Sequence, residues 1–219
     1  MTIDHIGAVM IRRFMSMEGF NTIFWGSIYQ PFRNIGRIAF PIFCFLLVEG
    51  YIHTKNKKNY LLRMLLFAFI SEIPFNLAIS GTIFEARYQN IFWELSLGIV
   101  LMMIIEKIQK VKGGYILNFS LIVAIVLPGI WMAEQMNFDY GDHGIITIVL
   151  LYFFRNYRNL QLIAGALSFL WSYLAIWGFL PIAFYNGKRG RQIKYAFYIF
   201  YPSHLLLLYL ITKVVGCID

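Results

Sequence analysis

The sequence predicts an all-α fold: a polytopic transmembrane helical bundle of about eight spans, with no soluble domain large enough to carry a function by itself. Three observations carry this expectation. The 219 residues are 59% hydrophobic and only 14% charged, whereas soluble domains are about a quarter charged. Mean hydropathy is +0.65. Apolar runs follow one another along the chain with only short polar clusters between them. At about 20 apolar residues per helical crossing, the length divides into about seven to nine spans with nothing left over. Residues 1–219 are therefore expected to be one domain.

The same composition excludes several classes. The formal charge is +8, but the basic residues sit in short clusters and form no continuous stripe of the kind a nucleic-acid binder needs. Cys44 lies inside an apolar run and Cys217 near the end. The two suggest neither a disulfide framework nor a thiolate site, and no metal is expected. No cleavable signal peptide is visible. No internal repeat relates the two halves, which weighs against an inverted-repeat transporter.

Taken in order, the first stretch is Met1 to Ile11, about 16 Å long as a helix, with Arg12 and Arg13 directly after it. That is half a crossing. Either a half-span is buried in the bundle, or the helix begins upstream of Met1, and the second is expected. The first full span is Ile35 to Thr54. The basic stretch with Lys55, Lys57 and Lys58 follows, then a span from Leu61 to about Leu77 that opens with Arg63. The positive-inside rule puts that basic loop in the cytoplasm. A third span, Ile91 to Ile105, ends in Glu106, Lys107, Lys110 and Lys112, also cytoplasmic by charge. Ile116 to Ala133 crosses outward to an acidic loop with Glu134, Asp139 and Asp142, and Gly144 to Phe154 returns to Arg155 and Arg158.

Residues 160–185 are uncharged, and the basic cluster Lys188, Arg189, Arg191 and Lys194 follows. Two full spans need about 40 residues. Either one tilted span puts a basic loop outside, or two half-helices meeting near Trp171 to Ala175 bring the chain back. The last span, Tyr195 to Val215, carries Pro202 and His204 near its middle, and proline there implies a kink or break.

Nine ionisable groups fall inside these runs: Asp4, His5, Arg37, Glu49, His53, Arg63, Glu72, Glu94 and His204. A charge at the centre of a span costs about 2.5–3.5 kcal/mol even on the lenient insertion scale, so they are expected to face inward around a polar cavity. Arg37, Arg63, Glu49 and His53 lie near run ends and could instead snorkel to the headgroups. Glu94 reads as an interfacial group and His143 as a solvated one. Glu72 sits deep in its run, next to Pro74, which frees the carbonyl of Ile70. Asp4 and His5 are adjacent, so on a helix they point about 100° apart and their partners must come from other helices. A buried neutral histidine is the natural general base near neutral pH, with a carboxylate to support it. Soluble-hydrolase signatures are absent: no nucleophile elbow, no phosphate loop, no His-Glu-x-x-His helix.

The motifs IDHIGA (Ile3 to Ala8), RNIGRIAFPIFCFLLVEGYIHT (Arg33 to Thr54), NYLLR (Asn59 to Arg63), SEIPFNLA (Ser71 to Ala78), QN (Gln89 and Asn90), DYG (Asp139 to Gly141), YNGKRG (Tyr185 to Gly190) and KYAFYIFYPSHLLLL (Lys194 to Leu208) together resemble the TraX family over essentially the whole chain. Members are polytopic membrane proteins named for the conjugation system in which one of them acetylates the amino terminus of pilin. They resemble membrane acyltransferases that draw on cytoplasmic coenzyme A. The family usually has further apolar residues ahead of the Asp-His pair, in keeping with an upstream segment.

The resemblance implies a multi-pass protein of the bacterial inner membrane, transferring an acetyl group from acetyl-CoA to an amine or hydroxyl. The acceptor could be a pilin amino terminus, a glycan or a lipid headgroup. His5 is then the base, Asp4 its electrostatic support and His204 the competing base, so that direct transfer and an acyl-histidine relay both stay open. Arg37 and Arg63 would hold phosphate or the thioester oxyanion. Glu49, His53, Glu72, Asn90, Asp139 and Tyr201 complete the candidate binding set, and the lysines from Lys55 to Lys112 would draw in the anionic donor. The competing reading is a non-enzymatic protein, either a small proton-coupled transporter or an assembly factor for a surface structure.

Overall fold

The computed structural model describes residues 1–17, 19, 21–188 and 195–216, and every regular element among them is helical apart from an isolated bridge between Gln89 and Phe138. The basic residues Arg189, Arg191 and Lys194, and also Cys217, lie outside the described residues. In chain order the helices are α1 (Thr2–His5), a π-helix (Ile6–Ile11), α2 (Arg12–Phe14), α3 (Thr22–Arg37), α4 (Ala39–His53), α5 (Lys57–Ser80), α6 (Ile91–Ile108), α7 (Gly114–Gln135), α8 (Gly141–Phe153), α9 (Arg158–Leu167), a 3-10 turn (Ala175–Gly178), α10 (Phe179–Ala183) and α11 (Ala196–Val214).

Among the described residues, four helices are long and apolar enough to cross a membrane: Thr22–His53, Lys57–Ser80, Gly114–Gln135 and Ala196–Val214. About eight were expected. The shortfall has physical causes. Helix α6 carries Glu94, Glu106 and Lys107 in 18 residues, and α8 is apolar but has only 13. The 160–185 run forms no single span: α9 stops at Leu167, turns follow, and helix resumes only at Ala175. This is the broken alternative. The helix expected from Ile35 begins instead at Thr22, where the Asn21 side chain accepts the Phe24 N–H at 3.0 Å as an N-cap. Prolines 74 and 202 lie inside α5 and α11, and helix continues on both sides of each.

The chain divides into two compact units. The first comprises Met1–Ile42, Phe69–Glu85 and Ser172–Asp219. Its core includes Val9, Phe40, Phe75, Ala78, Phe179, Tyr201 and Leu205. The second comprises Phe43–Ala68 and Ala86–Trp171. There Ile99, Met102 and Ile105 of α6 are buried, as are Ile145, Ile148 and Leu151 of α8. Helix α7 behaves differently: Ile116, Phe119, Leu127 and Trp131 are all exposed on it. Such an apolar outer face is solvated by lipid tails and not by water.

Candidate functional site

The site in the first unit starts from two glycines. A Cβ placed on Gly36 would lie 2.0 Å from the Asp4 Cβ and 2.7 Å from its Cα, so α3 and α1 pack backbone to backbone there. A Cβ on Gly7 would meet the Phe32 Cβ at 3.1 Å and the Arg33 side chain at 3.5 Å. Small residues at a crossing are how helices approach closely in an apolar solvent. Arg33 stands three residues before Gly36, on the same face of α3, and its Nη1 donates to Asp4 Oδ1 at 2.6 Å.

Beside Asp4, the His5 ring turns to α11. His5 Nδ1 and His204 Nε2 are 2.6 Å apart, both rings buried. The other nitrogen of His204, Nδ1, lies 2.8 Å from the Phe200 carbonyl oxygen. A carbonyl only accepts, so His204 Nδ1 carries a proton and donates it. In the neutral pair, His204 Nε2 is therefore the bare nitrogen and His5 Nδ1 donates to it. That leaves His5 Nε2 with its lone pair, and no hydrogen-bond partner among the described residues claims it. Aromatic rings frame the pair. Phe200 stacks on His204 at 4.8 Å, and the Tyr201 ring stands edge-on to both histidines, at 5.8 Å from His5 and 5.7 Å from His204.

Sequence reasoning anticipated partners for Asp4 and His5 on other helices, and the two partners prove to be Arg33 and His204. Asp4 forms an ion pair with Arg33, while the ring on His5 is that of a histidine 199 positions away. Arg33 itself was not among the expected site residues. Its sequence signals are a cation placed three residues before a glycine and its place at the start of the Arg33 to Thr54 motif. A second feature without a sequence signal is the π-helix directly after His5, a rare geometry concentrated at functional sites. Just beyond it Arg12, Arg13, Ala8 and Ser16 line a cavity of 260 Å³. Arg13 donates to the carbonyls of Val9 and Leu77, and Arg12 is exposed.

The remaining expected residues divide between the units. Arg37, Glu72 and Tyr201 belong to the first, with Arg37 at the end of α3 and Glu72 half-buried on α5. Glu49, His53, Arg63, Asn90 and Asp139 belong to the second. His53 Nδ1 lies 2.9 Å from the Glu49 carbonyl one turn earlier, and its ring is exposed. Asn90 caps α6 by accepting the Phe92 N–H at 3.1 Å, and its amide donates to the Ala68 carbonyl at 2.9 Å. Asp139 accepts from the Tyr88 hydroxyl, while the Gln89 N–H donates to the Asn137 carbonyl at 3.1 Å. The QN and DYG motifs thus hold one another's loops together.

Two expectations are corrected. Glu94 is not interfacial: it is fully buried, Oε2 accepting the Tyr140 N–H at 3.1 Å and Oε1 having no hydrogen-bond partner among the described residues. Its place one turn into α6 puts it under the 139–141 loop, which covers it. His143 is not merely solvated, because it bonds the Asp142 carboxylate and its ring packs on Trp171 at 4.6 Å. In the second unit the Glu106 carboxylate gathers Lys57, the Tyr51 hydroxyl at 2.6 Å and Lys110 at 3.0 Å. Beyond the apolar run that ends at Ile105, this carboxyl is held down at about 2, chiefly by the hydrogen bond from Lys57 and then by that from Tyr51.

These features define a class: an all-helical protein with membrane-length apolar helices and a buried histidine pair beside a part-buried arginine–aspartate ion pair. The family described as TraX protein matches residues 1–212, and the chain belongs to that family. It is also similar to the probable fimbrial assembly protein FimC, serogroup H1, of Dichelobacter nodosus, at 29% identity over 211 residues, covering 82% of each chain. No solved structure matches.

Proposed function

We propose that this chain is a multi-pass acetyltransferase of the bacterial inner membrane, crossing it about eight times, which moves the acetyl group of acetyl-CoA to an amine or hydroxyl acceptor. The observation that carries the reading is the 2.6 Å contact between His5 Nδ1 and His204 Nε2. The acceptor nitrogen or oxygen attacks the thioester carbonyl, His5 Nε2 takes its proton, the carbon–sulfur bond breaks, and the CoA thiolate leaves to be protonated. As His5 becomes cationic, its Nδ1 proton can pass to His204 Nε2, spreading the charge over two rings. The alternative relay, with the acetyl group first on a histidine nitrogen, uses the same pair. Asp4 and Arg33 anchor the helix that carries His5, and the Arg12 guanidinium, about two turns along, offers cationic donors to the phosphates of the donor.

The name of the Dichelobacter nodosus relative supports an acceptor belonging to a surface fibre, such as a subunit amino terminus. It equally supports a second reading, an assembly factor that consumes no thioester. A glycan or lipid headgroup acceptor rests on the same chemistry at the histidine pair. Thiol release from acetyl-CoA by the purified protein, with peptide amines and sugars as acceptors, separates the readings. Release that disappears in His5→Ala supports the transferase. Full activity in both His5→Ala and His204→Ala would remove the histidine pair from the mechanism, and no release from folded protein with any acceptor favours the assembly reading.

A further inference from the structure

The second unit contains a cavity of 310 Å³ that the transfer chemistry does not use. That volume is at the lower end of the range for small-ligand sites. Its walls include Tyr51, Lys57, Glu106, Lys110, Tyr152 and Arg155. Three cations against one carboxylate that stays ionised above about pH 2 leave a net lining charge of +2 near neutral pH.

The wall is organised before any ligand arrives. Tyr51 and Tyr152 are 1% and 2% exposed, and their rings meet edge to face at 5.5 Å. Lys57 lies over the Tyr51 ring at 4.5 Å, and the Arg155 guanidinium over the Tyr152 ring at 4.1 Å. Arg155 donates one N–H to the Tyr152 carbonyl at 2.8 Å and another to Gln109 Oε1 at 3.1 Å. Three of its five N–H groups therefore have no partner among the described residues. Lys110 uses one of its three donors on Glu106 at 3.0 Å, and its side chain is 74% exposed. Glu106 thus gathers the two ammonium groups while cancelling only one of the three positive charges, and a planar guanidinium with free N–H groups lies over the Tyr152 ring.

We propose that this cavity binds a phosphate-bearing dianion. A phosphate monoester or diphosphate matches the +2 lining, and Arg155 can meet two of its oxygens at once, as a fork-shaped donor does. The anion could be a soluble phosphate compound or the headgroup of a phosphate-monoester lipid. The assignment rests on the cavity and is independent of catalysis at the histidine pair.

The test measures binding and needs no turnover. The full-length protein in neutral detergent is titrated calorimetrically with pyrophosphate and with adenosine diphosphate. In a parallel arm, it is placed in phosphatidylcholine nanodiscs with or without phosphatidic acid, and its unfolding temperature is followed. Arg155→Gln is expected to weaken binding about tenfold or more, and Lys110→Gln severalfold. Lys213→Gln makes the same change of net charge outside the cavity and is expected to stay within about twofold. Saturable soluble binding identifies a soluble ligand, whereas stabilisation by phosphatidic acid alone identifies a lipid. Lys110→Gln changes a mostly exposed side chain, so its result stands even if Arg155→Gln does not fold. Equal losses in Lys213→Gln and Lys110→Gln, or no binding in either arm, would overturn the proposal.

Discussion

His5 and His204 meet nitrogen to nitrogen, and the Phe200 carbonyl decides which nitrogen of the pair is left bare. Two rings sharing one proton position act as a unit. Under the proposed chemistry, His5→Ala and His204→Ala should each lower acetyl transfer about 100-fold or more, the usual worth of a general base. The double variant should be no worse than the more damaging single one. Thiol release under single-turnover conditions reads this out, and additive losses would mean that the rings act separately.

Asp4 and Arg33 are both mostly buried, with side-chain exposures of 14% and 24%. Arg33→Gln should destabilise the protein by about 1.5–3 kcal/mol, because a charge-assisted hydrogen bond is lost and Asp4 loses its cationic partner. Asp4→Asn combined with Arg33→Gln should cost less than the sum of the two single changes. Thermal unfolding in detergent measures the cycle.

Gly36→Ala places a methyl group where the Asp4 side chain and backbone already are. Separating α3 from α1 should cost about 1–3 kcal/mol. Gly26→Ala, on the same helix, meets only the end of the Met15 side chain at 3.7 Å. That change should be neutral or stabilising by up to about 1 kcal/mol, as expected for glycine replaced inside a helix. Comparing the two unfolding temperatures separates close packing from helix propensity.

Glu94→Gln keeps an acceptor for the Tyr140 N–H and should leave stability nearly unchanged. Glu94→Leu removes that acceptor and should cost about 1–3 kcal/mol. Denaturant or thermal unfolding of the two variants distinguishes them.

The Glu106 carboxyl is lowered from 4.5 to about 2 by its lysine and tyrosine donors. A depressed carboxyl contributes stability that is fully present above its unfolded value and is lost as pH falls through the folded one. The advantage of the wild type over Glu106→Gln should therefore be full at about pH 6 and shrink steadily between about pH 4.5 and 2. An unfolding-temperature difference that stays constant over this range would exclude the carboxylate as its source.

Where an apolar run ends in charge, the helix was legible: Ile116 to Ala133 against the observed Gly114–Gln135, and Gly144 to Phe154 against Gly141–Phe153. Lipid imposes one simple rule on such segments. Thr22–Arg37 escaped it, because Asn34, Gln30, Ser27 and the arginines interrupt the hydropathy, and its start depends on an asparagine cap. His5, Asp4 and His204 stood out as polar groups in apolar surroundings. Their pairing did not, since no local pattern links residues 199 positions apart. The close approach at Gly36 depends on two helices at once, so the role of Arg33 beside it was equally hidden.

The π-helix at Ile6–Ile11 sets the phase of everything after it. Such a segment arises when one residue is inserted into an α-helix, which would otherwise turn by about 100° per residue. The wider turn absorbs that residue, so the face bearing His5 and the face bearing Arg12 can be set independently along one rod. Removing a single residue between Ile6 and Ile11 would rewind the segment as ordinary helix and leave the two arginines on nearly the same side of the axis, because five residues of α-helix turn about as far as the six of the wider turn. Natural variants one residue shorter in this stretch should therefore keep both faces and lose only the wide turn.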